Sequence, residues 1–216
     1  MKDVQVLHKI KKGIAEGFLV STYEVVDFFE YHMGEADIID WSLTTTGGIT
    51  QLREYVHFTK GDVIKFTAWF RKDGVWFDAA VSQAFDDDNP YMVVTAREAL
   101  IQGVLAAKDG NLLSDVSKAI QTQVWTTRYT IVTQLSGHGI GSELEMLPRV
   151  HNNHLMKHKD MVLREGMRLA IEPILLDVGD SFDLETGRTE KGTLSARYGA
   201  TVEVTKDGGK ILFGGI

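Results

Sequence analysis

The chain has 216 residues, of which 44% are hydrophobic and 25% are charged, the composition of an ordinary soluble globular protein. Its net charge of −7 argues against nonspecific binding to nucleic acid or to an anionic membrane, because an acidic surface is repelled by both. The chain has no cysteine, which excludes disulfides, thiolate nucleophiles and cysteine-bound zinc, and which suits a cytoplasmic protein.

The N-terminal segment 1–12 is too polar for a signal peptide, and no apolar run approaches the roughly 20 residues needed to span a bilayer. Periodicity and turn signals then predict two helices followed by a strand hairpin around Asp73-Gly74. The predicted helices of this first half are 3–16 and 22–33, and the predicted strands are 62–70 and 75–84.

The second half repeats this order. Its predicted helices are 91–108, with Pro90 suited to a first helical position, and 114–127. The strands predicted after them are 168–176, 194–205 and 210–213, the last two joined by a turn at Asp207-Gly208-Gly209. We expect a single α+β domain over 1–216, made of pseudo-repeats at about 1–90 and 91–216.

A short internal echo supports the two repeats. Gly17 and Ser21 stand between the first two helices as Gly110 and Ser114 stand between the last two. In each copy the glycine can end one helix and the serine can cap the next. Two unrelated helix connections would explain the same pattern, so the repeat stays a hypothesis at this point.

Three residues are candidate metal ligands, because hydrolytic metal sites use Asp, Glu and His held on rigid elements. Asp78 lies on the second predicted strand of the hairpin, 75–84. His138 lies among Gly137, Gly139 and Gly141. Glu172 lies in an apolar run that we interpret as a strand. A carboxylate buried there is costly unless a metal or a partner compensates it. Singly, each residue has a structural alternative: a strand-edge Asp, a turn histidine or a hydrogen-bonded core carboxylate.

Several ordered motifs resemble those of the type I methionine aminopeptidases. They are Lys60–Ile64 (K-G-D-V-I), Lys72–Asp78 (K-D-G-V-W-F-D), Ser136–Gly141 (S-G-H-G-I-G), Gly166–Pro173 (G-M-R-L-A-I-E-P) and Leu194–Tyr198 (L-S-A-R-Y). The resemblance runs from about residue 3 to the C-terminus. It implies the pita-bread fold of prolidase, aminopeptidase P and creatinase: a pseudo-twofold, curved antiparallel sheet with helices on its outer face.

Residue by residue, the resemblance also implies a depleted site. Asp78 matches the aspartate that bridges two metals, and His138 and Glu172 match terminal ligands of the first metal. Two other ligand positions of the family are Thr67 and Gly199, neither of which has a carboxylate. We therefore expect at most one divalent metal, Mn, Fe, Co or Zn, or none.

Two histidines of the family are also replaced. The peptide-contacting histidine falls at Glu145, which we take as a candidate general base, and the other maps near Gly47-Gly48. We expect the remaining His151, His154 and His158 to belong to a solvated loop. We also expect the aromatic residues Trp69, Trp76 and Phe77 to pack in the core rather than line a ligand site.

Three functions follow as hypotheses. The first is a one-metal hydrolase with His138 and Glu145 in catalysis, acting on a peptide N-terminus or a small amide-like molecule. The second is a catalytically inactive module that binds a peptide or a protein partner. The third is a metal-free hydrolase like creatinase, with His138 as general base beside Glu172. Neither nucleic acid nor a membrane is expected as a partner.

Overall fold

The computed structural model of the protein describes residues 5–34, 36–49, 53, 55–155, 160–177, 179, 182–189 and 193–216. Each half starts with two helices and continues with antiparallel strands. The first half contains α1 (Val6–Ala15), α2 (Thr22–Met33), β1 (Ile38–Thr44), β2 (Val63–Lys72) and β3 (Val75–Ala84). The second contains α3 (Tyr91–Ala106), α4 (Leu113–Trp125), β4 (Thr130–Ile131), β5 (Gly137–Gly139), β6 (Met146–Val150), β7 (Arg168–Ile171), β8 (Ile174–Leu176), β9 (Ser195–Arg197), β10 (Ala200–Val204) and β11 (Gly209–Gly214).

The strands form three antiparallel sheets. Their orders are β1-β2-β3, β11-β10-β7-β5-β6 and β4-β8-β9. In the first sheet, the turn residues Asp73 and Gly74 have φ values of 50° and 76°, the left-handed pair that a two-residue hairpin needs. The resulting register sets Lys72 opposite Val75 and Thr67 opposite Ala80.

The two halves meet along one seam between β3 and the strands β9 and β10. Ala80 and Gly199 exchange backbone hydrogen bonds of 3.2 and 2.9 Å. On one side of this bridge the Ser82 hydroxyl donates to the carbonyl of Arg197 at 2.7 Å. On the other side the Asp78 N–H donates to the Thr201 hydroxyl oxygen at 2.8 Å. The seam therefore fixes the backbone of Asp78 against the second half of the molecule.

The helices cover the sheets and close the main core. The residues Val6, Leu7, Ile10 and Ile14 of α1 recur at helical spacing and are all buried, as expected for a helix with one apolar face. Helix α1 contacts β3, and α3 contacts β9 and β11. Between these layers Phe70 packs edge-on against Phe213, with ring centroids 4.9 Å apart. This is the α+β layering expected from the sequence.

The helices follow the predicted bounds within a few residues, but the connections differ in detail. Residues 3 and 4 of the first predicted helix lie outside the described residues. Gly17 has a φ of 70° directly after α1, and Ser21 accepts the N–H of Glu24 at the start of α2, as predicted. Ser114 is not the N-cap, because α4 begins at Leu113 and the Asp115 carboxylate accepts the N–H of Leu112 at 2.8 Å.

The strand predictions were wrong at two breaks. The predicted strand 168–176 is interrupted at Glu172-Pro173, and 194–205 is interrupted at Tyr198-Gly199. Four strands were not predicted, namely β1, β4, β5 and β6. No helix among the described residues is long and apolar enough to cross a bilayer.

Candidate metal centre

The three candidate ligands converge in the structure, although they come from three different segments. Each offers one ligand atom, and these atoms lie within 4.8 Å of one another. The Nε2 atom of His138 is 3.8 Å from Asp78 Oδ2 and 3.8 Å from Glu172 Oε2. All three side chains are buried. Their burial in one cluster is the arrangement that the sequence predicted for a metal site.

His138 lies in β5 between two glycines, and the backbone around both is too crowded for a side chain. A Cβ on Gly137 would lie 2.1 Å from the carbonyl oxygen of Ala170, and a Cβ on Gly139 would lie 2.3 Å from that of Leu147. The register of β5 against β6 also shifts between His138 and Gly139, an irregularity of the kind that re-aims a side chain. Close backbone approach and this shift together position the imidazole.

The tautomer of His138 follows from its other ring nitrogen. Nδ1 lies 3.0 Å from the carbonyl oxygen of Gly139. Because a carbonyl can only accept, Nδ1 carries the proton in this contact, and the lone pair of a neutral ring is on Nε2. That lone pair faces the two carboxylates. In metal sites, a hydrogen bond from the ring nitrogen that does not bind the metal orients the histidine ligand in the same way.

The sequence predicts Glu172 inside a strand. In the structure it lies in the break between β7 and β8. Its backbone carbonyl accepts a hydrogen bond of 2.9 Å from the side chain of Asn152, which is itself buried. Pro173 follows and cannot donate to a strand ladder, which is consistent with the break. The Glu172 carboxylate is buried beside this break, with Oε2 3.8 Å from His138 Nε2.

Arg197 completes the cluster, and the sequence analysis gave it no role. It ends β9, its side chain is buried, and its Nη2 atom donates to Glu172 Oε1 at 2.5 Å. Glu172 thus presents one oxygen to a guanidinium and the other to His138. A charge-assisted contact this short is among the stronger hydrogen bonds that proteins form.

Burial and charge perturb the titration of this cluster. Burial raises the pKa of Asp78 well above its usual value, and the charge of Glu172 raises it further, while Arg197 acts in the opposite direction. Burial alone would lower the pKa of Arg197, but the charges of Glu172 and Asp78 and the hydrogen bond to Glu172 outweigh it and raise that pKa. Asp78 therefore lacks part of the positive charge needed to keep it ionised.

The cluster forms the floor of a cavity of about 520 Å³. The residues around it include Thr67, Trp69, Leu144, Glu145, Arg149 and His151. Within the described part of the chain, Asp78 Oδ1 is buried and makes no hydrogen bond. An orphaned carboxylate oxygen is costly in a protein interior, and a ligand in the cavity would satisfy it.

The comparison with protein families decides the relationship. A model of metallopeptidase family M24 matches residues 2–206. The chain belongs to metallopeptidase family M24.

Two relatives show how close this M24 chain stands to the methionine aminopeptidases. It is 30% identical over 210 residues to the methionine aminopeptidase of Clostridium acetobutylicum, covering 92% of this chain and 82% of that enzyme. It is 33% identical over 161 residues to methionine aminopeptidase 1 of Bacillus subtilis, covering 70% of this chain. The second match spans 64% of the Bacillus enzyme, which is less than two thirds of its length.

Solved structures confirm the pita-bread fold. The methionine aminopeptidase of Thermotoga maritima superposes with a TM-score of 0.80 at 22% identity, over 98% of this chain and 93% of that one. The prolidase of Pyrococcus furiosus superposes with a TM-score of 0.73 at 19% identity, over 98% of this chain and 61% of the prolidase. The predicted resemblance to methionine aminopeptidases is likewise confirmed.

The residues present in this M24 protein fit one metal ion. One imidazole and two carboxylates form a common ligand set for divalent transition metals. A cation between these residues would satisfy the orphaned Oδ1 of Asp78 and the Nε2 lone pair of His138, which lies 3.8 Å from both carboxylates. Glu172 Oε2 completes the set, since only its Oε1 is engaged by Arg197.

The two positions that lack a carboxylate also face this site. Thr67 is buried and lines the cavity. A Cβ built on Gly199 would lie 3.3 Å from Glu172 Oε1, so a longer side chain there would enter the cluster. Both positions thus lie near the candidate ligands, and their match to ligand positions of the methionine aminopeptidases stays a prediction.

Glu145 lines the cavity but stands apart from the three ligands. Its side chain is 58% exposed and pairs with Arg149 over 3.1 Å. Its charge nevertheless contributes to raising the pKa of Asp78. Glu145 is thus a wall residue open to solvent, and its proposed catalytic role stays a prediction.

Other expectations for the surroundings need correction. Trp69 lines the cavity instead of packing in the core, because it shares a strand face with Thr67. His151 and His154 lie in the irregular segment after β6 and are partly exposed, as expected for a loop. His151 nevertheless lines the cavity, and His154 packs edge-on against Trp125 with centroids 5.6 Å apart. His158 lies outside the described residues.

Proposed function

We propose that this protein is a divergent M24 hydrolase whose site holds at most one divalent transition metal: Mn, Fe, Co or Zn. Its substrate would be the N-terminal end of a peptide or a small amide-like molecule. The observation that carries the proposal is the convergence of Asp78, His138 and Glu172 beside two positions, Thr67 and Gly199, that have no carboxylate.

Charge balance supports a single ion. A pair of dications in close contact needs several anionic ligands between and around them. Here two carboxylates remain, and Arg197 already neutralises part of their charge. A second ion would have no carboxylate of its own and would lie close to a guanidinium. A one-ion site is the largest that these residues balance.

The roles of the individual residues follow from their positions. Asp78, His138 and Glu172 would hold the ion, which when bound supplies Lewis-acid polarisation of a substrate carbonyl. Asn152 and Gly139 orient two of these ligands through backbone contacts. Glu145, exposed at the wall, would exchange protons between the cavity and solvent.

The cavity also suits the proposed substrate class. With the ion bound, a substrate carbonyl entering the cavity would meet a positive charge that polarises it. The side chains of Trp69 and Leu144 offer apolar wall area for a neighbouring side chain. The names of the relatives, methionine aminopeptidase and prolidase, are consistent with a peptide substrate.

The contact between Arg197 and Glu172 favours a second candidate, a protein that works without metal. The guanidinium stabilises the Glu172 carboxylate without any ion. The site would then be either a metal-free hydrolase with His138 as general base, or an inactive groove that binds a peptide or a protein partner.

Two other expectations stay predictions, namely the single domain over 1–216 and the cytoplasmic location.

The deciding experiment combines metal analysis with a hydrolysis assay. Purified protein is incubated separately with Mn²⁺, Fe²⁺, Co²⁺ and Zn²⁺, desalted and assayed for bound metal and for turnover of a library of N-terminal peptides and simple amides. A one-metal hydrolase should retain about one equivalent of at least one ion, and Glu172→Ala should retain none. Turnover should disappear in chelator.

Each contrary result points to a different function. Failure to retain any of the four ions would overturn the proposal. Turnover that persists in chelator, with a pH–rate profile limited by one histidine-like group, would indicate the metal-free hydrolase. Peptide binding without turnover, unchanged by chelator and by His138→Ala, would indicate the inactive module.

A further inference from the structure

We propose that Arg197 is a built-in cation that takes the place of a second metal ion and thereby limits the pocket to one ion. The inference rests on the one-ion function proposed above and names the residue responsible for it. It assigns Arg197 a positioning role, since the guanidinium acts on the ligands and need not touch the substrate.

The first argument is the position of the guanidinium. Arg197 ends β9. Its backbone is held in place there, because its N–H donates a hydrogen bond of 2.9 Å to the Ser82 hydroxyl oxygen. Its side chain is only 8% exposed, and its Nη2 lies 2.5 Å from Glu172 Oε1. The charge is thus held at the ligand cluster from a fixed strand and not from a mobile loop.

Arg197 and Gly199 both lie next to the same oxygen, Oε1 of Glu172. A Cβ at Gly199 would lie 3.3 Å from Glu172 Oε1, the atom that accepts from Arg197. A side chain at that position would start beside this oxygen, and a carboxylate there would need a cation to compensate it. Gly199 offers no carboxylate, and a cation of the protein itself contacts the oxygen.

The third argument is the charge of the pocket. When Asp78 and Glu172 are both ionised, as they would be around a metal ion, they and Arg197 together leave about one negative charge, and Thr67 adds none. An arginine is charged at every physiological pH, so this positive charge cannot be withdrawn when a metal arrives. It should weaken the binding of one dication and exclude a second from the side of Glu172 Oε1.

Removing the Arg197 side chain, although it contacts the candidate ligand Glu172, should tighten metal binding. Mn²⁺ and Co²⁺ affinity is measured by titration calorimetry for wild type, Arg197→Gln and Arg149→Gln. Arg149 is the matched control, because it lines the same cavity but is 54% exposed and pairs with Glu145. Circular dichroism establishes that each variant is folded.

Arg197→Gln should bind the ion at least about tenfold more tightly than wild type, a difference of about 1.4 kcal/mol. Arg149→Gln should stay within about threefold, because an exposed charge is screened by solvent. Equal or weaker binding by folded Arg197→Gln would overturn the inference, as would an equal gain in both variants.

A second measurement does not depend on the folding of a variant. In a crystal structure of wild type grown with Mn²⁺, one ion should lie among Asp78, His138 and Glu172, with Arg197 still on Glu172 Oε1. Two ions, or an Arg197 side chain withdrawn from Glu172, would contradict the inference.

The inference and the proposed function fail in different ways. If wild type binds no ion but Arg197→Gln binds one, the metal-dependent function fails and the role of Arg197 as the replacing cation stands. If wild type binds one ion and the folded variant binds no better, the function stands and the role of Arg197 fails.

Discussion

Replacing Glu172 by glutamine tests whether the buried ion pair with Arg197 organises the site. The substitution keeps the shape of the side chain but leaves the guanidinium without its anionic partner. Both side chains are nearly inaccessible, at 6% and 8% exposure. Removing one partner of such a buried pair costs up to about 3–5 kcal/mol. Here the guanidinium loses its hydrogen-bonded carboxylate, and of the cluster only Asp78 remains to compensate its charge.

The matched control is Glu145→Gln. Glu145 and Arg149 form a similar pair over 3.1 Å, but with side chains 58% and 54% exposed. Loss of an exposed pair should cost less than about 1 kcal/mol. The two variants therefore make the same chemical change in the same cavity and differ in burial.

Urea and thermal unfolding in chelator measure both effects without a contribution from bound metal. For a chain of this size, the cost predicted for Glu172→Gln corresponds to a fall in Tm on the order of 10 °C. Glu145→Gln should shift the Tm by a few degrees at most. Equal small losses in both variants would refute the conclusion that Glu172 and Arg197 form a strong buried pair.

Three further predictions follow from the structure. Gly137→Ala should destabilise the protein by at least about 2 kcal/mol in urea unfolding and weaken metal binding by His138, since its Cβ would meet a backbone oxygen at 2.1 Å. Gly141→Ala, whose Cβ would have only an ordinary contact at 3.7 Å, should change stability by under about 0.5 kcal/mol; equal effects would contradict this account. In chelator, Asp78→Asn should be more stable than wild type at neutral pH, with the gain shrinking as pH falls from the raised pKa of Asp78 to the ordinary pKa of aspartate. The raised pKa of Asp78 means that the ionised form is disfavoured in the folded state, so its contribution to stability is lost as pH rises; a gain independent of pH would argue against it. Burial and the charge of Arg97 lower the pKa of Lys11 to about 8, so stability should rise with pH between about 8 and 10.5 from this group. An NMR titration of the Lys11 side chain with a midpoint near 10.5 would contradict it.

The three candidate ligands were predictable because each carries a local signal. Asp78 follows a hairpin turn that fixes its strand, and His138 lies among glycines that mark close backbone approach. Glu172 is an isolated carboxylate in an apolar run. Motif order then supplied the family and the fold, which the comparisons confirmed.

The features that were missed depend on contacts between distant segments. Strand β5 has three residues, two of them glycine, and it exists because β6 and β7 pair with it. Strand propensity gives no signal for such a segment. Arg197 stands 25 positions from its partner Glu172, and in sequence it is an ordinary cation at the end of a strand. Only the fold shows that it faces the ligands.

We propose that the candidate ligands Asp78, His138 and Glu172 of this M24 protein balance one ion and no more. Anomalous diffraction at the manganese edge, from a wild-type crystal grown in excess Mn²⁺, tests this directly. The account predicts one anomalous peak in the cavity, bounded by Asp78, His138 and Glu172. Two neighbouring peaks there would contradict it.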